Sequence, residues 1–363
     1  MKINIASPQI GQEEKDAVME VMNSGMLAQG PKVAKFEENF ASFIGTKHAI
    51  ATSNGTTALE VALRAHGIGE GDEVITTPFT FIASANAVLY TGARPVFVDI
   101  DETFMMDPEK IEAAITSKTK AILPVHLYGS ACNMTKIMEI AKKHNLAVIE
   151  DACQAHGAKW EGQNVGSFGT GAFSLYPTKN MTVGEGGMIT TNDQEAYEKS
   201  LLLRAHGSKV RYYHDILGYN YRMTDLEGAI GIEQLKKLPK FNEARQKNAA
   251  YLNENLGQIK GIIVPEAPEG VTHVYHQYTI RITSEFGLTR DEVLAKLTES
   301  SIGTAVFYPL PLNRQKIYTD LGYTPNTPIA DELTSQVLSL PVHPGLKQED
   351  LEYIVETFKE MAK

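Results

Sequence analysis

The chain has 363 residues, of which 43% are hydrophobic, so it is long enough to bury a sizeable core and to form two domains. Its formal net charge is -10 and its basic residues are scattered, which argues against a nucleic-acid-binding surface. No apolar run approaches the roughly 20 residues that cross a bilayer, and the N-terminus lacks a long apolar segment. We therefore expect neither secretion nor membrane insertion.

The cysteines and histidines do not suggest a metal site or a disulfide framework. Only Cys132 and Cys153 occur, and they lack the spacing of metal ligands. The histidines form no tight cluster of possible ligands. We expect two reduced thiols in a cytoplasmic protein that binds no metal.

Between about residues 48 and 193, short β-branched runs alternate with helical patterns. Continuous apolar strands separated by helices indicate a mainly parallel sheet that is covered on both faces. The predicted strands are His48 to Thr52, Glu73 to Thr77, Pro95 to Ile100, Ala121 to His126, Ala147 to Glu150, Ala172 to Tyr176 and Gly187 to Thr191. Because ligands collect beyond the carboxyl ends of strands in such sheets, the residues that follow each strand are the informative ones.

A glycine turn that opens directly into a helix follows the first predicted strand. Gly55 is followed by the hydroxyl residues Thr56 and Thr57 at the start of a helix predicted from Thr56 to His66. Free N–H groups and the positive end of the helix dipole make such a start a phosphate site. The alternative is ordinary N-capping by Ser, Asn or Thr, which is common at helix starts.

Two later strand ends carry an aromatic side chain and a carboxylate. Phe81 follows the second strand and could stack on a planar ring, although a buried core Phe is the usual explanation of one aromatic. Asp151 ends an apolar run, where a charge is costly unless it has a partner. We expect the partner of Asp151 to be a cation.

Lys179 lies between the last two predicted strands, in a segment constrained by Pro177 and by the glycines from Gly184 to Gly187. A lysine held in this way is a candidate nucleophile. A phosphate cradle, an aromatic face, a carboxylate at a strand end and a lysine together meet the needs of pyridoxal 5'-phosphate. The rival Rossmann interpretation requires G-x-G-x-x-G between a strand and a helix, and Asn54-Gly55-Thr56 does not supply it.

The sequence resembles the DegT/DnrJ/EryC1/StrS family of fold-type I, pyridoxal-phosphate-dependent aminotransferases that act on nucleotide-linked keto-sugars. The resemblance covers essentially the whole chain. The matching stretches are Ser24 to Pro31, Gly71 to Ile75, His126 to Gly129, Glu150 to Gly157, Gly171 to Thr191, Arg204 to Gly207, Gly218 to Asp225 and Leu338 to Pro344. The resemblance implies a three-layer αβα sandwich around a mixed, mainly parallel seven-stranded sheet, followed by a smaller α+β domain.

The resemblance also assigns roles to individual residues. Lys179 would form the Schiff base and Asp151 would pair with the pyridine nitrogen. Gln154 would contact the 3′ oxygen of the cofactor and Phe81 would stack on its ring. The phosphate would be held by Gly55, Thr56, Thr57 and Ser174, and Asn220 would reach in from a second subunit of a homodimer.

The implied activity is amination of a UDP- or dTDP-linked keto-sugar by ping-pong transamination, with L-glutamate as the donor. Family dehydratases carry histidine in place of the lysine, so Lys179 favours transamination. Two alternatives stay open: the same cofactor chemistry on a cyclitol or other keto substrate, and a non-catalytic sensor or regulatory protein that keeps the fold.

The pattern changes beyond about residue 245, which predicts a large domain over 1–245 and a small α+β domain over 246–363. A long helix is predicted from Lys236 to Leu256 and a strand-like run from Tyr275 to Ile282. Tyr308 and Asn313 lie in a segment that borders the sugar site in the family, where Asn313 replaces the usual histidine. His206 and Arg222 are further candidates for substrate contacts, with structural ion pairing as the alternative.

Overall fold

The computed structural model describes residues 2–324 and 326–362. The strands of this part of the chain are β1 (His48–Thr52), β2 (Glu73–Thr76), β3 (Arg94–Phe97), β4 (Thr119–Ile122), β5 (Ala147–Asp151), β6 (Lys159–Trp160), β7 (Gln163–Asn164), β8 (Thr170–Ser174), β9 (Gly187–Thr191), β10 (Ile262–Ile263), β11 (Val271–Thr272), β12 (Tyr278–Ile282) and β13 (Val337–Leu340). All seven strands predicted between residues 48 and 193 therefore form.

Seven of these strands make one sheet in the order β1-β9-β8-β5-β4-β2-β3. Only β9 runs against its two neighbours, while β8, β5, β4, β2 and β3 pair in parallel. The mixed, mainly parallel sheet is thus confirmed. Two small antiparallel sheets, β10-β12-β13 and β11-β6-β7, lie outside it.

Several strands end earlier than the apolar runs predicted. β4 stops at Ile122 because Pro124 has no N–H to donate to a neighbouring strand. β3 stops at Phe97, before the buried Asp99, whose side chain accepts hydrogen bonds from Ile100 N, Ile329 N and Ala330 N. An apolar run marks a buried segment, whereas the strand end is set by the loss of pairing partners.

The α-helices of the described residues are α1 (Gln12–Ser24), α2 (Pro31–Ile44), α3 (Gly55–Ala65), α4 (Ala83–Thr91), α5 (Ile111–Ala114), α6 (Met134–His144), α7 (Gln194–Arg204), α8 (Asp225–Leu256), α9 (Arg290–Glu299), α10 (Lys316–Asp320), α11 (Pro328–Leu333) and α12 (Gln348–Met361). Short 3₁₀ turns occur at Pro108–Lys110, Leu127–Gly129, Ser284–Phe286 and Leu312–Arg314. The helix predicted from Lys236 is longer than expected, because Thr224 and Glu227 form a capping box that starts α8 at Asp225.

Helices cover both faces of the large sheet, which gives three layers. One face packs against α3, α4, α6 and α7 through a cluster that includes Leu59, Val88 and Ile137. The other face packs against α2 and α8, where Phe40 meets Phe173 of β8 with ring centroids 5.1 Å apart. The αβα sandwich is confirmed, and its buried layers hold the strand ends rigidly.

A separate apolar cluster forms the C-terminal part of the fold. It joins β12, β13, α9 and α12 with the last turns of α8, and it includes Ile3 from the N-terminal segment. Ile3 also forms a parallel bridge with Ile302. The predicted boundary after residue 245 falls inside α8. This helix packs against the large sheet through Leu235 and Leu238 and joins the C-terminal cluster through Leu252 and Leu256. The division into domains 1–245 and 246–363 stays a prediction.

Candidate active site

The carboxyl ends of β1, β5 and β8 lie beside a cavity of about 870 Å³. Helix starts and turns that follow these strands therefore bring distant parts of the sequence together. The cavity is lined by nine of the site residues that the sequence suggested: Gly55, Thr56, Thr57, Phe81, Asp151, Gln154, Ser174, Lys179 and Tyr308. Its volume lies within the range of about 300 to 1,000 Å³ typical of small-molecule sites.

The start of α3 forms one wall of the cavity. Asn54 caps the helix by accepting a hydrogen bond from Thr57 N at 2.9 Å, and the Thr57 hydroxyl donates to Asn54 O at 2.9 Å. The first N–H groups of any helix lack intrahelical partners, and here those of Gly55 and Thr56 follow the cap directly. The capping alternative is therefore correct for Asn54 and Thr57, and it leaves the helix start suited to an anion.

Gly55 brings this helix start against the end of β8. A Cβ atom at position 55 would lie 2.6 Å from Ser174 Cβ and 3.0 Å from Cys153 Sγ, closer than such atoms approach each other. Only glycine fits without displacing β8. Ser174 Oγ and the N-terminus of α3 consequently line the same side of the cavity.

Asp151 ends β5 and is 5% exposed. Its Oδ2 accepts a hydrogen bond from Ser84 Oγ at 2.6 Å, and its Oδ1 accepts one from Cys153 N at 3.1 Å. Backbone pairing to Pro124 and His126 fixes the Asp151 main chain from the neighbouring strand. The carboxylate is therefore held in one orientation at the cavity wall.

Lys179 follows a tight turn in which its N–H donates to Tyr176 O at 2.9 Å. The side chain is half-buried because it faces the open cavity. The surrounding protein nevertheless displaces enough water to lower the pKa of the Lys179 ammonium, while the nearby Cys153 and Asp151 partly oppose this shift. A lowered pKa increases the fraction of neutral amine, which is the form that attacks a carbonyl group.

Aromatic and amide groups form the opposite wall. Phe81 is 55% exposed, unlike its neighbour Phe79 at 1%, so Phe81 is not a core side chain. The Phe81 ring lies 6.3 Å from the ring of Tyr308. Gln154 Oε1 accepts from Tyr128 N at 2.9 Å, so the Nε2 end is left to donate to the Tyr308 hydroxyl at 3.2 Å. This arrangement fixes which end of the amide acts as a donor.

Four suggested residues lie outside the set that lines this cavity. Asn220, His206 and Arg222 are exposed, and Arg222 Nε donates to Asn220 Oδ1 at 3.2 Å. Asn313 is buried, and its Nδ2 donates to Thr327 Oγ1 at 2.8 Å. Within this chain, Asn313 therefore takes part in the packing of the C-terminal segment.

Sequence reasoning missed several lining residues, among them Thr80, Ser84, Tyr221, His276 and Gln277. Thr80 and Ser84 follow β2 at the same sheet edge as Phe81, so their position in the sequence indicates this cavity. His276 falls in the strand-like run predicted from Tyr275 to Ile282, whereas β12 begins only at Tyr278. Burial, with Lys179 nearby, lowers the pKa of His276 well below its ordinary value.

Two negative findings apply to residues 2–324 and 326–362. No helix there has both the length and the apolar character that a membrane crossing requires. No group of three His, Cys, Asp or Glu side chains is arranged to hold a metal ion.

Comparison with known proteins identifies the family of this chain. The model of the DegT/DnrJ/EryC1/StrS aminotransferase family matches residues 8–359. The chain belongs to the DegT/DnrJ/EryC1/StrS aminotransferase family. It is therefore a pyridoxal-phosphate-dependent transaminase, as the family resemblance implied.

The names of similar proteins in the DegT/DnrJ/EryC1/StrS family describe both a regulatory protein and a biosynthetic enzyme. A "Pleiotropic regulatory protein" from Geobacillus stearothermophilus is 47% identical, over 94% of this chain and 92% of the relative. A GDP-perosamine synthase from Caulobacter vibrioides is 42% identical, over 98% of this chain and 96% of the relative. Several homologues in the family are aminotransferases of nucleotide-linked sugars.

Solved structures of the family share the fold. The structure of S. venezuelae DesV in complex with a ketimine intermediate has a TM-score of 0.92 and 37% identity, and the match covers 97% of this chain and 95% of DesV. The structure of NtdA from Bacillus subtilis with the bound cofactor PMP has a TM-score of 0.91 and 34% identity, over 97% of this chain and 81% of NtdA. These matches confirm the fold-type I architecture.

The residues of this cavity fit pyridoxal 5'-phosphate. The close approach at Gly55 leaves the start of α3 open to a phosphate next to Ser174. Asp151 presents a fixed carboxylate that suits a protonated pyridine nitrogen, and Lys179 presents an amine with a lowered pKa. All three lie on one cavity, so a single small ligand can reach them.

Proposed function

We propose that this protein transfers an amino group from an amino acid to the keto group of a nucleotide-linked sugar. The convergence of Lys179, Asp151 and the start of α3 on one cavity is the observation that carries the proposal. L-glutamate is the expected donor. The 42% identity to a GDP-perosamine synthase over 98% of the chain supports a nucleotide-sugar acceptor. It adds GDP to UDP and dTDP, the nucleotides that the family resemblance implied.

Each residue has a defined task in the proposed reaction. When bound, pyridoxal 5'-phosphate supplies an aldehyde that bonds to amines and a pyridine ring that accepts electrons. Lys179 would hold the cofactor through its Nζ and, as a neutral amine, would accept and return a proton at the reacting carbons. The Asp151 carboxylate would pair with the pyridine nitrogen. Gln154 Nε2, which donates to Tyr308 in this chain, would also donate to the 3′ oxygen of the ring, and the exposed face of Phe81 would stack on the ring.

Gly55, Thr56 and Ser174 would hold the phosphate, while Thr57 fixes the helix start through its cap. The lowered pKa of Lys179 favours the neutral amine, which is the form that can accept a proton. Tyr308 lies at the cavity wall beside Phe81 and is placed to contact the substrate. The nucleotide handle provides binding energy remote from the reacting carbon.

We further propose that the working unit is a homodimer, with Asn220 of the partner subunit completing the phosphate site. Exposed apolar side chains in the segment before Asn220 support this proposal, because such patches mark interfaces: Val210, Tyr212 and Leu217 are 62%, 77% and 79% exposed. His206 and Arg222 flank the same segment and would face the substrate diphosphate from there. The free thiols of Cys132 and Cys153 suit the cytoplasmic location predicted from the sequence.

The substrate assignment is tested with a panel of keto compounds and L-glutamate as donor. The panel contains GDP-, UDP- and dTDP-linked keto-sugars, a free keto-sugar and a keto-cyclitol. We expect formation of 2-oxoglutarate to depend on a nucleotide-linked acceptor. Turnover with the cyclitol but not with any nucleotide sugar would reject the assignment. Loss of activity in Lys179→Ala separates an enzyme from a non-catalytic sensor that keeps the fold.

The dimer is tested by mixing two inactive variants. Lys179→Ala and Asn220→Ala subunits are co-refolded, so that mixed dimers contain one site with both native residues if Asn220 acts across the interface. We expect activity to reappear in the mixture. Mixed dimers that stay inactive would rule out the shared site while leaving the aminotransferase assignment intact.

A further inference from the structure

A chain of two buried hydroxyl groups leads to the Asp151 carboxylate. Ser84 Oγ lies 2.6 Å from Asp151 Oδ2, and Thr80 Oγ1 lies 2.9 Å from Ser84 Oγ. Ser84 is 1% exposed and Thr80 is 2% exposed, yet both contribute to the cavity lining. A hydrogen bond to a charged group in such a water-poor place is stronger than one at the surface.

The direction of both hydrogen bonds follows from the chemistry of the groups. An ionised carboxylate only accepts hydrogen bonds, so the Ser84 hydroxyl must donate its single hydrogen to Asp151 Oδ2. Ser84 Oγ can then only accept from Thr80 Oγ1. Both hydroxyl dipoles therefore point their positive ends towards the carboxylate. The chain therefore presents a donor to the carboxylate from a fixed direction.

The same hydrogen bonds set the orientation of the carboxylate. Oδ2 is engaged by Ser84 and Oδ1 by Cys153 N at 3.1 Å, so rotation of the group would break both bonds. A carboxylate has about four lone-pair sites, so sites remain for a further donor from the cavity. That donor is the protonated pyridine nitrogen in the proposed function.

The start of α4 explains why the two hydroxyls align. Thr80 and Ser84 are four residues apart, and Ser84 N donates to Phe81 O at 3.2 Å in the turn between them. Thr80 lies before the N-cap residue Ile82, in the bend that leads into α4, and this bend brings its hydroxyl to Ser84 in the first turn of the helix. Phe81 remains exposed in the same segment.

We propose that Ser84 is a positioning residue for amino transfer, which fixes the orientation of the Asp151 carboxylate, and that Thr80 orients the Ser84 hydroxyl. The proposal rests on the proposed role of Asp151. Ser84 itself makes no bond to the substrate. It would act on the reaction through the position of the Asp151 carboxylate, which would pair with the ring nitrogen.

The test compares Ser84→Ala, Ser84→Thr and Thr80→Val in the enzyme loaded with pyridoxal 5'-phosphate. Ser200→Ala is the matched control, because Ser200 is equally buried and its hydroxyl has no hydrogen-bond partner within residues 2–324 and 326–362. Three quantities are measured: kcat and KM for L-glutamate, the dissociation constant of the cofactor, and the pH titration of the visible absorbance band of the bound cofactor.

Loss of a hydrogen bond to a charged group predicts that Ser84→Ala lowers kcat about 10- to 100-fold and shifts the pH titration of the band. The KM for L-glutamate should change less than about threefold, because Ser84 does not touch the donor. Ser84→Thr, which keeps the hydroxyl, should recover kcat to within about fivefold of wild type. Thr80→Val should have a smaller effect, about two- to tenfold, because it removes a bond between neutral groups.

A Ser84→Ala enzyme with the wild-type pH titration and a wild-type kcat would overturn the proposal. A low kcat that Ser84→Thr does not recover, with an unchanged titration, would also overturn it, because the effect would then be structural. Asp151→Asn separates this failure from failure of the proposed function. If Asp151→Asn abolishes turnover but Ser84→Ala has the same turnover as wild type, the role proposed for Ser84 is wrong and the role proposed for Asp151 stands. If Asp151→Asn retains wild-type turnover, the proposed role of Asp151 is wrong as well.

Discussion

Gly55 and Ser174 approach so closely that a Cβ atom on residue 55 would lie 2.6 Å from Ser174 Cβ. This contact links the start of α3 to the end of β8 and shapes the phosphate end of the cavity. Gly55→Ala should therefore push the two elements apart, with an overpacking cost of about 1 to 3 kcal/mol in the free energy of unfolding. We expect the dissociation constant of pyridoxal 5'-phosphate to rise at least about tenfold, as measured by titration of the apoenzyme.

Gly69→Ala is the control for Gly55→Ala. Gly69 has open space where its Cβ would lie, and its backbone is outside the left-handed region. The control should keep wild-type affinity for the cofactor. Wild-type affinity in Gly55→Ala would contradict the phosphate site at the start of α3.

Gln154→Glu tests the donor end of the Gln154 side chain. A glutamate oxygen can still accept from Tyr128 N, but it cannot donate towards Tyr308 or the cofactor. It also adds a negative charge near Asp151. We expect cofactor affinity to fall about 10- to 100-fold, and the apoenzyme to melt at a lower temperature than wild type at neutral pH, because the buried glutamate and Asp151 repel each other. An unchanged affinity would exclude a donating role for Gln154 Nε2.

Buried histidines predict that stability falls in acid. Burial lowers the pKa of His273 to about 3, so the folded state resists a proton that the unfolded chain binds below its ordinary pKa of about 6.5. The stability contributed by neutral His273 is therefore complete above that value and is lost as the pH falls towards 3. At about pH 5.5 the cost is about 1.4 kcal/mol relative to about pH 7.5.

Urea unfolding of the holoenzyme at these two pH values measures the effect. His273→Asn is the informative variant, because its side-chain oxygen can replace Nδ1 as the acceptor for Tyr275 N. The fall in unfolding free energy between the two pH values should be about 1.4 kcal/mol smaller in His273→Asn than in wild type. The same pH dependence in both proteins would mean that His273 titrates normally in the folded state.

The strands and the central site residues could be predicted from the sequence because their signals are local. An apolar run followed by Asp151, and a glycine before Thr56 and Thr57, mark strand and helix ends without knowledge of the rest of the chain. Lys179 stands out for the same reason, since Pro177 and the following glycines bound its turn. The side chains that follow these strand and helix ends were therefore correctly predicted to line one cavity.

Contacts between distant elements could not be predicted in this way. The bond from Ser84 to Asp151 joins residues 67 positions apart, and it depends on β2 lying two strands from β5 in the sheet. Nothing near Asn313 indicates that its side chain bonds to Thr327. The N-terminal Ile3 likewise joins the C-terminal apolar cluster, a contact that only the packed chain reveals.

We infer that Lys179 Nζ carries the cofactor. Borohydride reduction of the holoenzyme, followed by peptide mass analysis, tests it most directly because reduction makes the bond permanent. We predict that the visible absorbance band disappears on reduction and that the added mass lies on Lys179 alone, while Lys179→Ala has neither the band nor the added mass. Attachment of the cofactor to another lysine, or a wild-type band in Lys179→Ala, would contradict the account.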